Sequence, residues 1–390
     1  MRVRFLKNRL VGLLNNHLID YPTPLNLSYL WGFGSLSGLC LGIQLLTGIF
    51  LGMHYCGNVE MAFESVEHIM RDVSNGWLIR YFHSNGASMF FIMVYIHMFR
   101  GLYYGSYTYP RTKLWVSGVL IFLLMILTAF IGYVLPWGQM SLWGATVITN
   151  LVSTIPLIGK NVVHWLWGGF AVENATLNRF YSLHYLMPFV ISGLAILHII
   201  LLHVDGSSNR LGVDTKVSKV GFYPYCYVKD LLVFLLMLTV FSVLVHFTPN
   251  LLGHSDNYIL ANNLVTPAHI VPEWYFLTFY AILRSVPHKL GGVILMVAAI
   301  VVLCLLPLLN GAEVRSNLFK PLTRKLFWFF LIDCLILGWL GQKPVESPFI
   351  GLGQVTSLVY FSVLLIGLPL LGRFEMGMFR GTSDTEKVQD

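Results

Sequence analysis

Charge is what this sequence has least of. Only 11% of its 390 residues are Asp, Glu, Lys or Arg, whereas 56% are hydrophobic. That balance excludes a soluble enzyme of this length. Short segments of alternating hydrophobicity are lacking too, which excludes an outer-membrane barrel. Cysteine is sparse: Cys40, Cys56, Cys226, Cys304 and Cys334 are scattered and form no C-x-x-C. They read as small apolar residues, and neither a disulfide framework nor an iron–sulfur cluster is built from them. Acids are scarcer than bases, 18 against 25, for a net charge of +7. In so apolar a chain this indicates basic residues held on one membrane face and not a nucleic-acid partner.

Long apolar runs are present instead. Eight candidate spans, A to H, fall near 31–53, 77–104, 114–134, 179–203, 227–246, 290–309, 323–341 and 350–371. The fold class is therefore all-α, a polytopic membrane protein of about eight transmembrane helices. The start, "MRVRFLKNRLVGLLNNHLIDYPTP", is basic, then amphipathic, and stops at prolines. It reads as a helix lying on the membrane surface in preference to a transit peptide. The polar stretch "HVDGSSNRLGVDTKVSKVGFYPY" separates spans A–D from E–H and divides the chain into residues 1–210 and 211–390. With eight spans, the termini share a side that holds 18 of the 25 Lys and Arg residues, leaving 7 opposite. That places the termini inside and the A–B, C–D and E–F loops outside.

Span B carries two histidines, His83 and His97, fourteen residues apart. Fourteen helical residues rise about 21 Å and return to within about 40° of the starting face. Span D repeats the spacing with His184 and His198. B and D run in the same direction, so His83 is level with His184 and His97 with His198. A single membrane histidine is usually packed or part of a proton relay. Two equally spaced pairs point to two flat metallocycles clamped one above the other, as in haem ligation. Gly34 and Gly48 in A, and Gly118 and Gly132 in C, repeat the fourteen-residue spacing at the same two levels. Small residues also serve ordinary helix packing, but here their register matches the space that bulky rings need. Arg80 and Arg100 lie one turn beyond His83 and His97, placed for propionates or as snorkelling anchors.

These residues, with "GYVLPWGQMSLWGATVITN", "PEWYF", "YAILRSVP" and "PLLNGAEVRSNLFKPL", make the chain resemble the cytochrome b family in its mitochondrial form, the haem-bearing subunit of cytochrome bc1 complexes. The resemblance covers nearly the whole chain. It implies a di-haem four-helix bundle in spans A–D, followed by a C-terminal membrane domain with the PEWY loop. It further implies two non-covalent b-type haems, an outer one on His83 and His184 and an inner one on His97 and His198, iron being the metal. Ubiquinol and ubiquinone are the implied substrates. The implied partners are a Rieske iron–sulfur protein, cytochrome c1 and other complex III subunits in a dimeric complex with lipids. The implied location is the mitochondrial inner membrane, with termini on the matrix side.

A haem near each surface invites a redox partner near each surface. In "PEWY", Glu273 sits in an apolar setting with Tyr275 close by, where a carboxylate whose pKa is raised by burial can accept a quinol proton. For a loop carboxylate alone, a solvated role is the ordinary reading. The resemblance implies an outer quinol-oxidising pocket of Phe130, Tyr133, Gly144, Ile148, Pro272, Glu273, Phe276 and Tyr280. On the inner side, His203 ends span D, and Lys229 and Asp230 begin span E, with Ser207 and Phe222 between. These are ordinary surface residues by type. The resemblance implies an inner quinone-reducing pocket in which His203 and Asp230 supply protons. Two other functions fit parts of the pattern: a transporter or proton channel with histidine relays and no cofactor, and a transmembrane haem reductase that does not oxidise quinol.

Overall fold

The protein is described by a computed structural model that covers residues 9–214 and 218–386. A short helix, α1 (Arg9–Leu18), precedes strand β1 (Pro22–Pro24), where the prolines end the helix. Helix α2 (Phe33–Gly52) follows, then α3 (Ala62–Arg71) in the A–B connection, then α4 (Gly76–Tyr103) and α5 (Thr112–Val134). The C–D connection folds into α6 (Gln139–Asn150) and α7 (Gly159–Trp167). Helix α8 (Asn174–Asp205) begins five residues before the expected span D. Glu173 and Thr176 form a capping box there, which satisfies the first free N–H groups.

Strand β2 (Lys219–Gly221) pairs antiparallel with β1, Thr23 opposite Val220, and leads into α9 (Tyr225–Phe247). The E–F connection holds a short turn of helix, Trp274–Phe276, and α10 (Leu277–Arg284). Then come α11 (Lys289–Leu309), α12 (Pro321–Gly341) and α13 (Phe349–Ser362). A π-helical turn, Val363–Gly367, joins α13 to α14 (Leu368–Glu386), so the last helix runs well past the expected end of span H.

By length and hydropathy, six helical stretches are able to cross a membrane: Tyr29–Gly52, Thr112–Val134, Asn174–Asp205, Tyr225–Phe247, Lys289–Leu309 and Phe349–Met378. The other two spans, α4 and α12, are equally long but more polar. Helix α4 carries Arg80, His83, His97 and Arg100, and α12 carries Arg324, Lys325 and Asp333. Intramembrane polar residues are costly and mark functional helices.

Helix α2 packs along α4, α5 packs along α8, and α2 also touches α8. These contacts assemble the first four spans around a shared interior. One core joins the two halves of the chain. In it, Phe91 of α4 and Phe122 of α5 pack with Tyr275, Phe279, Ile282, Phe330 and Tyr360. At the chain's end, fully buried Glu375 of α14 accepts the N–H of Leu322 at 2.7 Å and that of Thr323. A carboxylate at a helix N-terminus is favoured by the free N–H groups and the helix dipole, so α14 caps α12.

Candidate functional site

The helix pairing brings His83 of α4 against His184 of α8, with ring centroids 6.2 Å apart. One level further along, His97 meets His198 at 6.4 Å. The rings do not stack: their planes cross at 84° and 62°. Two metal–nitrogen bonds of about 2 Å, with roughly 1 Å from each nitrogen to its ring centre, sum to about 6 Å. Each gap therefore suits one metal ion between two imidazoles. Among the described residues no group of three or more His, Cys, Asp or Glu could hold a metal ion. A metal on either pair would take its remaining ligands from something other than these side chains, as a macrocycle can supply.

The glycines face these rings one for one. A Cβ on Gly48 would stand 3.1 Å from His83 Cε1, and one on Gly132 only 2.3 Å from His184 Cε1. A Cβ on Gly34 would stand 3.1 Å from His97 Cε1, and one on Gly118 3.2 Å from His198 Cε1. The Gly132 position is closer than real side chains approach and the other three are tighter than most, so a side chain at any of them would press on a ring.

Second-layer bonds set which nitrogen faces the gap. The Thr47 hydroxyl donates to the Ile43 carbonyl at 2.7 Å, leaving its oxygen to accept from His83 Nδ1 at 2.9 Å. The Ser117 hydroxyl donates to Leu114 at 2.8 Å and accepts from His198 Nδ1 at 2.8 Å. His184 Nδ1 donates to the Thr128 carbonyl at 2.9 Å. With Nδ1 holding the proton, Nε2 presents its lone pair, the arrangement a metal-bound histidine needs. Sequence reasoning passed over Thr47 and Ser117, although each immediately precedes its level's glycine, Gly48 or Gly118. Thr128 contributes only a backbone carbonyl, which leaves no mark in the sequence. His97 differs: its Nδ1 accepts from Arg100 at 3.1 Å. Arg100 also lies over the Trp31 ring at 5.0 Å, and its Nε is buried without a partner.

A cavity of 500 Å³ surrounds the outer pair. His83, His184, Gly48, Gly132 and Arg80 line it, and so do Glu273, Tyr133 and Tyr275. Burial pushes the Glu273 carboxyl up to about 7, although a hydrogen bond with Tyr133 and the charge of Arg80 pull it down. Tyr275 is fixed from two sides. Its ring stacks on Phe91 at 4.2 Å and 3°, and its carbonyl accepts from the Tyr95 hydroxyl at 2.5 Å. The adjacent Trp274 donates to Ser88 at 3.0 Å. The outer cavity thus joins a proton-accepting carboxylate to the histidine pair.

The other expected outer residues do not line this cavity. Phe130 packs edge-on to Phe180 at 6.1 Å, and Phe276 edge-on to Tyr275 at 4.5 Å. Gly144 has open space where a Cβ would point. Ile148 and Pro272 are half-buried. The Tyr280 hydroxyl reaches the Ile270 carbonyl at 3.4 Å, and Arg284 covers its ring at 4.7 Å.

On the inner side the expected residues have separate partners. Asp230 accepts from Ser35 at 2.7 Å, and its carboxylate closes on Gly32. Lys229 donates to the Leu27 carbonyl and lies over Tyr29 at 5.2 Å. The Ser207 carbonyl accepts from Arg111 at 3.4 Å, and the Phe222 ring lies edge-on to Tyr227 at 5.2 Å. His203 faces neither Lys229 nor Asp230 but His17 of α1, at 3.0 Å between the Nδ1 atoms, and the Tyr21 ring at 4.3 Å. Sequence reasoning missed His17, Tyr21 and Ser35, because long-range packing and not chain proximity brings them here.

Comparison with known proteins agrees with this geometry. Residues 18–206 match the family described as cytochrome b/b6/petB, and residues 260–361 match cytochrome b(C-terminal)/b6/petD. The chain is 63% identical over 373 residues to cytochrome b of Chondrus crispus, covering 96% of this chain and 98% of that one. It is 59% identical over 385 residues to cytochrome b of Marchantia polymorpha, covering 99% and 95%. A chain of a solved structure described as a hyperthermophilic respiratory complex III superimposes with a TM-score of 0.90 at 33% identity, covering 95% and 98%. With likeness of this extent over both halves, the chain belongs to the cytochrome b family.

Proposed function

We propose that the protein is the catalytic core of a mitochondrial ubiquinol–cytochrome c oxidoreductase, oxidising ubiquinol at an outer site and reducing quinone at an inner one. The observation that carries this reading is the pair of histidine levels, each with two facing glycines, the outer one opening onto Glu273. The residues fit two haems. His83 and His184 would hold one, His97 and His198 the other, and Arg80 and the unpartnered Nε of Arg100 are suited to propionates. Bound there, b-type haems supply one-electron transfer across the bilayer.

The chain's own residues handle position and protons. Each histidine keeps a proton on Nδ1 and offers Nε2 inward. His97 reaches that state when Arg100 turns from its Nδ1 to an anionic partner. Glu273 takes a quinol proton, and with an ordinary value near 4.5 raised to about 7 it is a base poised near neutral pH. Tyr133 and Arg80 orient and stabilise the carboxylate. Of the two quinol electrons, one leaves to a Rieske iron–sulfur partner and on to cytochrome c1, and the other crosses the chain. At the inner site, His203 and Asp230 deliver protons to the quinone. Proton release outside and uptake inside contribute to the proton gradient.

In this reading residues 1–210 are the di-haem bundle and 211–390 the C-terminal domain, in a dimeric complex with both termini on the matrix side of the inner membrane. The test is a reduced-minus-oxidised spectrum and the haem-to-protein ratio of the purified complex, with quinol oxidation assayed alongside. Two b-type haems per chain and quinol oxidation are expected. No haem would leave the transporter reading, and two haems without quinol oxidation the haem-reductase reading.

A further inference from the structure

His203 lies at the end of α8, one residue beyond Leu202, whose carbonyl accepts from the Tyr21 hydroxyl at 3.4 Å. Its ring is nearly parallel to that of His17, 16° between planes and 4.9 Å between centroids, with the two Nδ1 atoms 3.0 Å apart. At this distance the two nitrogens share one hydrogen. One Nδ1 must carry it and the other must accept it, because two N–H groups would collide and two lone pairs would repel. His17 is exposed to solvent, and His203 is only partly so. Helix α1 therefore places a more exposed imidazole directly behind a more sheltered one, with a single hydrogen bond between them.

We propose that His17 is a positioning and proton-supplying residue for quinone reduction, reloading His203 from the inner aqueous phase. This rests on the assignment of His203 to the inner site. Reducing one quinone to quinol consumes two electrons and two protons. The electrons would be supplied by the haem that His97 and His198 would hold. His203 gives one of these protons to the quinone from Nε2, Asp230 giving the other, and takes the Nδ1 proton of His17 at its own Nδ1 across the 3.0 Å bond. His17 regains a proton from water at its other nitrogen, and exchange with water returns both rings to their starting tautomers. The bond both conducts the proton and holds His203 to one tautomer at a time.

Tyr21 covers His203 from the α1–β1 connection. Asn15 and Asp20 are hydrogen-bonded to each other on the same stretch as His17. From the start of α5, Arg111 is held by the carbonyls of Asp205, Gly206 and Ser207. None of these offers His203 a second imidazole.

The test uses the intact complex in membranes, in three forms: His17→Ala, His17→Gln and His203→Ala. Both haem bands are recorded first. Reoxidation of the inner haem by added ubiquinone is then followed in single turnovers from pH 6 to 9, with the outer site blocked, with and without free imidazole. Glutamine preserves a hydrogen-bonding side chain but cannot exchange a proton, so it keeps the test valid if alanine loosens α1. Both His17 variants should slow about 10-fold at pH 8–9, where proton supply from water is weakest, and much less at pH 6. Positioned acid–base groups contribute more than this, roughly 100-fold upward, when they act directly. Free imidazole should restore His17→Ala in proportion to its concentration. Slow His203→Ala with wild-type pH profiles for both His17 variants, or slowing that imidazole does not relieve, would overturn the role of His17 and leave the inner site intact. Wild-type quinone reduction in His203→Ala would overturn the inner-site assignment and the His17 role together.

Discussion

The two histidine levels look alike in the sequence and differ in the structure. At the outer level both imidazoles have Nδ1 bonded to an acceptor, which leaves Nε2 with its lone pair: His83 donates to Thr47 and His184 to the Thr128 carbonyl. At the inner level only His198 does, through Ser117, while His97 accepts from Arg100. The outer level is also tighter, since a Cβ at Gly132 would come within 2.3 Å of His184 and the nearest inner counterpart stays 3.1 Å away. The outer level shares its cavity with a carboxylate, Glu273. The outer site is built rigidly around one arrangement. At the inner level a cation, Arg100, occupies the His97 nitrogen that the other three histidines use to donate.

The sharpest way to break the comparison is to remove a ligand from each level. His184→Leu and His83→Leu should each abolish the same outer haem band, and His97→Leu and His198→Leu the same inner band. Low-temperature spectra of the membranes distinguish the two bands. Loss of spectrally different haems in His97→Leu and His198→Leu would dissolve the level pairing itself.

The next largest effect is confined to the outer level. Quinol oxidation should rise as pH passes upward through about 7, because Glu273 accepts a proton only once its own has left. Glu273→Gln keeps the shape, removes this rise and lowers the rate. A positioned base typically contributes about 100- to 10,000-fold, and Tyr133 and Arg80 remain, so a loss near the lower end is expected. Stopped-flow reduction of the outer haem with the inner site blocked checks it. Reduction of the inner haem through the inner site should be unchanged in the same variant. The reverse pattern would move Glu273 to the other side of the membrane.

The histidine ladder was legible because helical periodicity converts a fourteen-residue spacing into position, and two helices repeated it. The spans were legible because apolar length is a direct requirement of the bilayer. The short helices α3, α6 and α7 were not, since their patterns are brief and lie in polar connections. Thr128 acts through its backbone, and any residue can supply a carbonyl. His17 reached His203 across 186 residues of sequence, which no local pattern announces. Asp230 and His203 were expected to share an inner pocket, but each is bonded elsewhere, to Ser35 and His17. Side-chain partners of this kind depend on the last ångström of packing.

Space gives a graded test of the same comparison. Overpacking a tight site typically costs about 1–3 kcal/mol. Gly132→Ala should reach the upper part of that range, because its Cβ would overlap a ring held by the Thr128 carbonyl. Gly34→Ala needs a shift of only a few tenths of an ångström and should stay near the bottom. Haem retention after detergent purification should fall in the order wild type, Gly34→Ala, Gly132→Ala. Equal retention in both variants would mean that the glycines serve helix packing and that the rings move aside.

The smallest effect concerns the second-layer hydroxyls, and it separates the levels most finely. Thr47→Val and Ser117→Ala each remove the acceptor of a ligand's Nδ1 proton while leaving the ligand in place. Loss of such a partner typically costs about 10- to 100-fold in metal affinity. At the outer level His184 still holds its carbonyl bond, so one preset ligand remains and a loss near 10-fold is expected for Thr47→Val. At the inner level Ser117 serves the only histidine that is preset, since His97 depends on Arg100 turning away. Ser117→Ala should therefore weaken inner-haem retention more than Thr47→Val weakens the outer. Both should lower the midpoint potential shift that pH produces only slightly, because neither touches a titrating group on the quinone side. Haem loss measured under increasing detergent, with the two bands followed separately, decides it. If Thr47→Val proved the more damaging, the outer level would not be the more rigidly preset of the two, and the Arg100 bond to His97 would count as support for the inner ligand and not as a competitor.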